Sequence, residues 1–115
     1  GMSVGGPALA VQDEAFVLRS AGDLAVLCGV GADDPRRAQA IHMCQGYLVG
    51  VHHLHMAMTL PEAAAPIYCP GNETPPTRDA AAADFAGWVA DNPEAARLPA
   101  VEGAMRWAAA RFPCN

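Results

Sequence analysis

The chain has 115 residues and a net charge of −5, with seven Arg and no Lys. This length fits one domain. The missing Lys excludes a P-loop and Schiff-base chemistry, and the net negative charge, without a basic stripe, argues against nucleic-acid binding. Apolar residues make up 52% of the chain, but 25 residues are Ala, so the predicted core is thin. No apolar run approaches the roughly 18 residues that span a bilayer, and membrane insertion is not expected.

The N-terminal residues 1–12 are predicted to form a flexible tail, and residues 13–115 a single helical domain. The tail is rich in Gly, Pro and Ala without hydrophobic periodicity. Gly1 precedes Met2, which indicates a cloning scar, and we expect that a signal peptide has been removed upstream. A short extended segment is predicted at residues 16–18.

The first half of the chain predicts two helices. Ser20 is a suitable N-cap for the first helix, which Gly29 ends, and its buried face comprises Leu24, Leu27 and Cys28. The second helix is predicted from about residue 35 to residue 59 as the central helix, because apolar residues recur there at spacings of three and four. That stripe comprises Ile41, Cys44, Leu48, Val51, His55 and Met58.

The second half predicts two more helices after a Pro-rich loop at residues 60–76. Thr77 caps a third helix over residues 78–91, which Asn92-Pro93 stops, and a fourth begins near Pro99. The buried face of the third comprises Ala81, Phe85, Trp88 and Val89; that of the fourth comprises Val101, Met105, Ala108, Ala109 and Phe112. Without a convincing strand, the predicted fold class is all-α, a small four-helix bundle.

Four cysteines, at positions 28, 44, 69 and 114, are expected to cross-link this bundle by two disulfides. Four Cys in so short a chain indicate an oxidising compartment such as the periplasm. Three pairings are open. The short turn between the first two helices favours Cys28 with Cys44, which leaves Cys69 in the loop to hold Cys114 at the C-terminus. These cross-links would contribute roughly 3 and 4 kcal/mol.

No catalytic or metal site emerges from the remaining residues. His52, His53 and His55 are the best metal candidates. On a helix only His52 and His55 share a side, and no third ligand is evident. Cys44 and His42 lie two positions apart and point in different directions, so they do not form a nucleophile–base pair. We therefore expect no enzyme activity, no metal and no cofactor.

Two glycines are unusual in the interior of the second helix, where each costs roughly 1 kcal/mol relative to Ala. Gly46, Tyr47 and Gly50 are therefore predicted to pack against another helix that approaches closely. A neighbouring helix of the same chain is the favoured partner, and a second subunit is the alternative.

Several short segments follow one another in a distinctive order. They are Cys28, Cys44-Gln45-Gly46-Tyr47-Leu48-Val49-Gly50-Val51, Cys69-Pro70, Trp88-Val89, Asn92-Pro93-Glu94, Leu98-Pro99-Ala100 and Phe112-Pro113-Cys114. Taken together, over residues 20–115, they resemble the Rap/Tai-type immunity proteins associated with type VI secretion. The Cys-x-Gly-Tyr-x-x-Gly-Val segment and the Phe-Pro-Cys end are the most specific parts.

The resemblance implies a periplasmic, disulfide-bonded helical protein that often forms a homodimer. It implies one partner, a cognate peptidoglycan amidase effector, which the protein binds and blocks without catalysis of its own. An exposed, rigid loop would fill the active-site cleft of that enzyme. Residues 91–98 are the first candidate, with Asp91, Glu94 and Arg97 as predicted contacts. The loop at residues 61–76 is the second.

Two other functions remain open from the sequence. A stand-alone periplasmic binding or chaperone-like protein would show the same disulfide-bonded helices. A metal-binding protein would use His52 and His55 as ligands.

Overall fold

The computed structural model describes residues 10–61, 64–71 and 74–115. Within these ranges the fold is the predicted all-α bundle, and no strand is present. No helix there is long and apolar enough to cross a bilayer. The elements are a 3₁₀ helix at Asp13–Val17, α1 at Ala21–Cys28, α2 at Arg37–Thr59, α3 at Arg78–Asp91, a second 3₁₀ helix at Pro93–Arg97 and α4 at Ala100–Arg111.

Two predicted N-caps are present. The Ser20 hydroxyl accepts a hydrogen bond from the Asp23 N–H at 3.1 Å, and the Thr77 hydroxyl accepts one from the Ala80 N–H at 3.0 Å. Each bond satisfies a backbone donor that the first helical turn leaves without a partner. The starts of α1 and α3 are therefore encoded locally, as predicted.

The start of α2 combines a local hydrogen bond with one from a distant part of the chain. The Asp34 carboxylate accepts hydrogen bonds from the backbone N–H groups of Arg36, at 2.8 Å, and Val11, at 2.9 Å. These two bonds hold the pKa of Asp34 below its usual value. Val11 is buried, so packed structure includes the end of the predicted tail. Residues 1–9 of that tail lie outside the described residues.

The predicted extended segment at residues 16–18 is wrong, because Phe16 and Val17 lie in the first 3₁₀ helix. The side chain of Arg36, the residue just before α2, holds that 3₁₀ helix in place. The Arg36 guanidinium carbon lies 4.6 Å from the centre of the Phe16 ring, and the same side chain pairs with Asp13 at 2.6 Å. A short apolar run does not reveal contacts with a residue so distant in sequence.

The shortest of the four α-helices, α1, forms the centre of the bundle. Leu24 and Leu27 are fully buried, and α1 contacts α2, α3, α4 and both 3₁₀ helices. Our expectation that α2 is central is wrong. In α2 only Ala40, Cys44 and His55 are buried, and Met58, at the end of the predicted stripe, is 48% exposed. α2 is long enough to extend beyond the packed layer.

The closest approach between helices occurs at Gly103 of α4. A Cβ placed on Gly103 would lie 2.3 Å from the Cβ of Ala21, which is too close for any side chain. Gly103 therefore lets α4 pack directly on α1. Phe85 of α3 fills the adjoining core and meets the Trp107 ring edge-on at 5.8 Å.

Candidate functional site

The predicted contact segment, residues 91–98, forms a short rigid connection between α3 and α4. The segment contains the second 3₁₀ helix of the chain. Two hydrogen bonds fix this helix, from the Ala95 N–H to the Asn92 carbonyl at 2.8 Å and from the Leu98 N–H to the Ala95 carbonyl at 3.1 Å. The Asn92 side chain donates to the Trp88 carbonyl at 2.9 Å. These bonds define one backbone shape before any partner binds.

The same segment is held against α1. Ala95 is buried, and the Ala21 N–H donates to the Leu98 carbonyl at 2.8 Å. Gly22 of α1 faces Ala96, where an added Cβ would come within 3.2 Å of the Ala96 Cβ. The segment is therefore part of the packed bundle, which gives it a fixed position as well as a fixed shape.

Its charged side chains point into solvent. Asp91, Glu94 and Arg97 are all exposed. Among the described residues, none of the three forms an ion pair or a side-chain hydrogen bond. The arrangement offers two carboxylates and one guanidinium on a rigid support, which suits contact with a partner protein. A partner-binding role for these residues remains a prediction.

The two disulfides are those favoured by the sequence, Cys28–Cys44 and Cys69–Cys114. Cys28 and Cys44 are buried between α1 and α2. Cys69 is half-buried and Cys114 is exposed, and their bond ties the loop after α2 to the residues after α4.

The three neighbouring histidines have different environments. His55 is buried, its ring stacks on the Tyr68 ring at 4.0 Å, and its Nε2 accepts a hydrogen bond from the Ile67 N–H at 2.9 Å. His52 Nδ1 lies 2.6 Å from the Tyr68 hydroxyl. Burial, assisted by the nearby His52, lowers the pKa of His55, and burial raises the pKa of Tyr68. His53 is exposed.

These histidines hold a loop in place. Within the described ranges, no three His, Cys, Asp or Glu side chains gather closely enough to bind a metal ion. His52 and His55 instead bind the anchored loop, which we define as residues 64–71. A further bond from the Cys69 N–H to the Phe112 carbonyl, at 2.8 Å, joins this loop to the end of α4.

Among the described residues, none covers the face of α2 that carries Gly46 and Gly50. Both glycines are exposed, and a Cβ added to either would meet no atom of these residues within 4 Å. The predicted packing of these residues against another helix of the same chain is therefore not what the described residues show. Tyr47, half-buried beside them, packs against the core. The alternative, contact with a second subunit, remains a prediction.

Sequence reasoning missed a pocket of about 200 Å³ between α2, α3, α4 and the anchored loop. We call it the loop pocket. Its walls are mainly apolar, and the residues that define them are Leu48, Val51, Tyr68, Trp107, Ala108 and Phe112. These positions come from three separated parts of the chain, so no local pattern reveals the pocket. The sequence assigned Leu48, Val51, Ala108 and Phe112 to buried helix faces, and it gave no signal for Tyr68.

Trp107 is fixed in the wall of the loop pocket by a charged neighbour. Its indole N–H donates to the Asp84 carboxylate at 2.7 Å, and Arg111 Nε donates to the same oxygen at 2.8 Å. Burial acts to raise the pKa of Asp84, but the hydrogen bonds from Arg111 and Trp107 outweigh it and hold that pKa below its usual value. Trp107 is 7% exposed, so its ring lies in the packed interior.

Comparison with known proteins agrees with this architecture. A family model for Rap1a immunity proteins matches residues 20–114, which include all four α-helices and all four cysteines. The chain belongs to the Rap1a immunity protein family. No curated protein and no solved structure matches it. Membership of this immunity family indicates an effector-immunity role, a typically non-catalytic protein and an effector protein as the partner. The disulfides are consistent with an extracytoplasmic location.

Proposed function

We propose that this chain is a periplasmic immunity protein that binds a peptidoglycan amidase effector of type VI secretion and occludes its active site. The family match over residues 20–114 carries the proposal. The two disulfides support it, because such bonds persist in oxidising compartments, including the periplasm in which peptidoglycan amidases act.

The proposed contact surface is the segment at residues 91–98. Its backbone bonds and its packing on α1 fix it before binding, so little conformational entropy is lost when a partner docks. Asp91, Glu94 and Arg97 are available to steer the partner and to pair with complementary charges. A rigid projection that enters a cleft inhibits by excluding substrate and needs no chemistry of its own.

The decisive experiment is co-purification of this chain with the product of the adjacent gene, followed by a peptidoglycan amidase assay with and without this chain. We expect a stable complex and loss of peptidoglycan hydrolysis. The double variant E94A/R97A should bind at least tenfold more weakly with an unchanged fold, because a tenfold loss corresponds to about 1.4 kcal/mol and close charge pairs across an interface couple by about 1.5 kcal/mol or more.

The matched control is E102A/R106A, which removes the same two residue types from an exposed ion pair on α4. Equal affinity of both double variants and the wild type would exclude residues 91–98 from the interface. Failure of the wild type to bind or inhibit the amidase would contradict the proposed function itself and favour a stand-alone binding protein.

We further propose that a second copy of the chain covers the uncovered face of α2, which we define by Met43, Gly46, Gly50 and Leu54. No Asp, Glu, Lys or Arg occurs between residues 38 and 61. Met43 is 41% and Leu54 53% exposed, and the glycines between them allow another helix to approach closely. The same face on a second copy has the same apolar character, as a two-fold interface requires.

Sedimentation equilibrium tests this homodimer. The wild type should sediment at twice the monomer mass, and G50E should be monomeric because a carboxylate would be buried without a partner. G87E is the matched control, since Gly87 is an exposed helical glycine with no atom near its added Cβ. A monomeric wild type would contradict the proposal.

A further inference from the structure

The loop pocket has a firmly held wall on each side. The Tyr68 ring is stacked on His55 and its hydroxyl lies 2.6 Å from His52 Nδ1, while the Trp107 indole is bonded to Asp84. Phe112 is held through its carbonyl, which accepts the Cys69 N–H next to the second disulfide. The pocket is therefore formed before any ligand arrives, which lowers the cost of binding.

The chemistry of these walls favours an apolar occupant. The polar atoms of the deep lining, the Tyr68 hydroxyl, His52 Nδ1 and the Trp107 N–H, are already hydrogen-bonded to each other or to Asp84. No buried side-chain nitrogen or oxygen in the described residues lacks a partner. A sugar or nucleotide would lose its hydrogen bonds to water without replacing them, whereas a hydrocarbon group loses none.

The size of the pocket limits that occupant to one small group. A volume of about 200 Å³ is slightly larger than the roughly 150 Å³ engineered cavities that bind benzene. One aromatic ring or one branched aliphatic side chain therefore fits, whereas a lipid acyl chain would extend beyond the pocket.

The exposed part of the lining is of mixed character. Thr74 and Arg78 are polar, whereas Pro70, Pro75 and Pro76 are apolar. The Thr74 hydroxyl and the Arg78 guanidinium can pair with peptide carbonyls that remain outside the apolar interior. An apolar interior with two polar groups at its exposed edge fits a side chain that is still attached to its own backbone.

We propose that the loop pocket receives one aromatic or branched aliphatic side chain of the effector protein, which thereby anchors the complex. The proposal rests on the proposed function and adds a second contact to residues 91–98. The two sites lie at opposite ends of α3, whose 14 residues span about 21 Å at 1.5 Å per residue. A partner that covers the usual ~800 Å² can contact both.

Side-chain analogues test the pocket without the effector. Toluene represents a Phe side chain. In an NMR titration it should shift the indole N–H resonance of Trp107, which lines the pocket, and should not shift that of Trp88, which lies outside it. Millimolar affinity is expected for so few atoms. N-acetylglucosamine should produce no shift. Absence of a toluene-induced shift at Trp107 would overturn the proposal.

A pocket-filling variant tests the role in binding. Ala81 is half-buried and lines the pocket. The variant A81L should therefore weaken the binding of toluene and of the amidase effector at least tenfold each. Ala109 is half-buried on α4 outside the pocket, and A109L is the matched control that should bind both normally. Unchanged amidase affinity for A81L would overturn the anchor and leave the proposed function intact.

The two arms separate the possible failures. If toluene binds the pocket but A81L inhibits the amidase normally, the pocket serves a small apolar ligand and the anchor is wrong. If the wild type does not bind the amidase, the proposed function fails, and with it this use of the pocket, whatever toluene does.

Discussion

The two disulfides join regions of very different character. Cys28–Cys44 lies inside the bundle, where α1 and α2 are also held by packed side chains. Cys69–Cys114 lies near the surface and joins two segments without helix, the anchored loop and the chain after α4. The first disulfide therefore reinforces two helices that already pack together. The second joins two segments that have no helix of their own.

The noncovalent contacts of the second region combine polar bonds with one buried aromatic ring, that of Tyr68, which stacks on His55. The anchored loop is attached by the bond of Ile67 to His55, the pair of Tyr68 with His52 and the bond of Cys69 to Phe112. Because hydrogen bonds contribute only about 1 kcal/mol each, the disulfide is expected to decide whether this loop stays in place. The loop pocket depends on it, since Tyr68 and Phe112 form part of its wall.

The largest effect is expected from C28A/C44A. Loss of a cross-link between residues 16 apart costs about 3 kcal/mol, and the cavity left in the core adds about 1 kcal/mol or more. Urea unfolding without reductant, monitored by circular dichroism, should show a global loss of about 4 kcal/mol. A smaller loss than in C69A/C114A would reverse the comparison of the two regions.

A smaller global effect is expected from C69A/C114A, although its separation of 45 residues gives about 4 kcal/mol from loop entropy alone. The released loop also gains entropy in the folded state, so we expect a loss of about 2 kcal/mol. Hydrogen exchange should accelerate at the Ile67 and Cys69 amides and remain slow in α1. Equal acceleration in α1 would show that the two regions unfold together.

The smallest effect is expected from pH, through His55. Its pKa is lowered in the folded protein, so folding favours the neutral ring that accepts the Ile67 N–H. This contribution to stability is complete above the pKa of His in the unfolded chain, about 6.5. It is lost as the pH falls toward the lower pKa of His55 in the folded protein, by at most about 1.4 kcal/mol per pH unit.

The measurement is the free energy of unfolding at pH 7.5 and 5.5. H55Q should lose less stability than the wild type over this interval, because it lacks the titrating ring. H53Q, which removes an exposed histidine, is the matched control and should behave as the wild type. The same pH response in H55Q and the wild type would show that His55 does not couple the anchored loop to pH.

Local signals in the sequence were sufficient for most of the fold. The caps Ser20 and Thr77 fixed the starts of two helices, because their hydroxyls act within the first turn. Hydrophobic spacing identified all four α-helices, and the positions of the cysteines along them favoured the correct pairing. The caps and the helical spacing depend on residues close in sequence, whereas Cys69 with Cys114 followed only because Cys28 and Cys44 were already paired.

Burial within a helix was predicted less well. The stripe of α2 has the spacing of a core face, but α2 extends beyond its neighbours and leaves Met58 exposed. Gly46 and Gly50 indicated close packing that lies instead at Gly103. A glycine shows that a helix face is bare, whereas only the arrangement of the other helices decides whether something packs there.

The chain's own sequence determined its helices and its family, since both depend on residue type and local spacing, and it favoured the observed cysteine pairs. Tertiary structure alone decided that α1 is central, that His55 holds the anchored loop, and that Leu48, Tyr68 and Trp107 enclose a pocket. These features arise where segments distant in sequence meet. Such meetings depend on the packing of the whole bundle, which no single periodicity records.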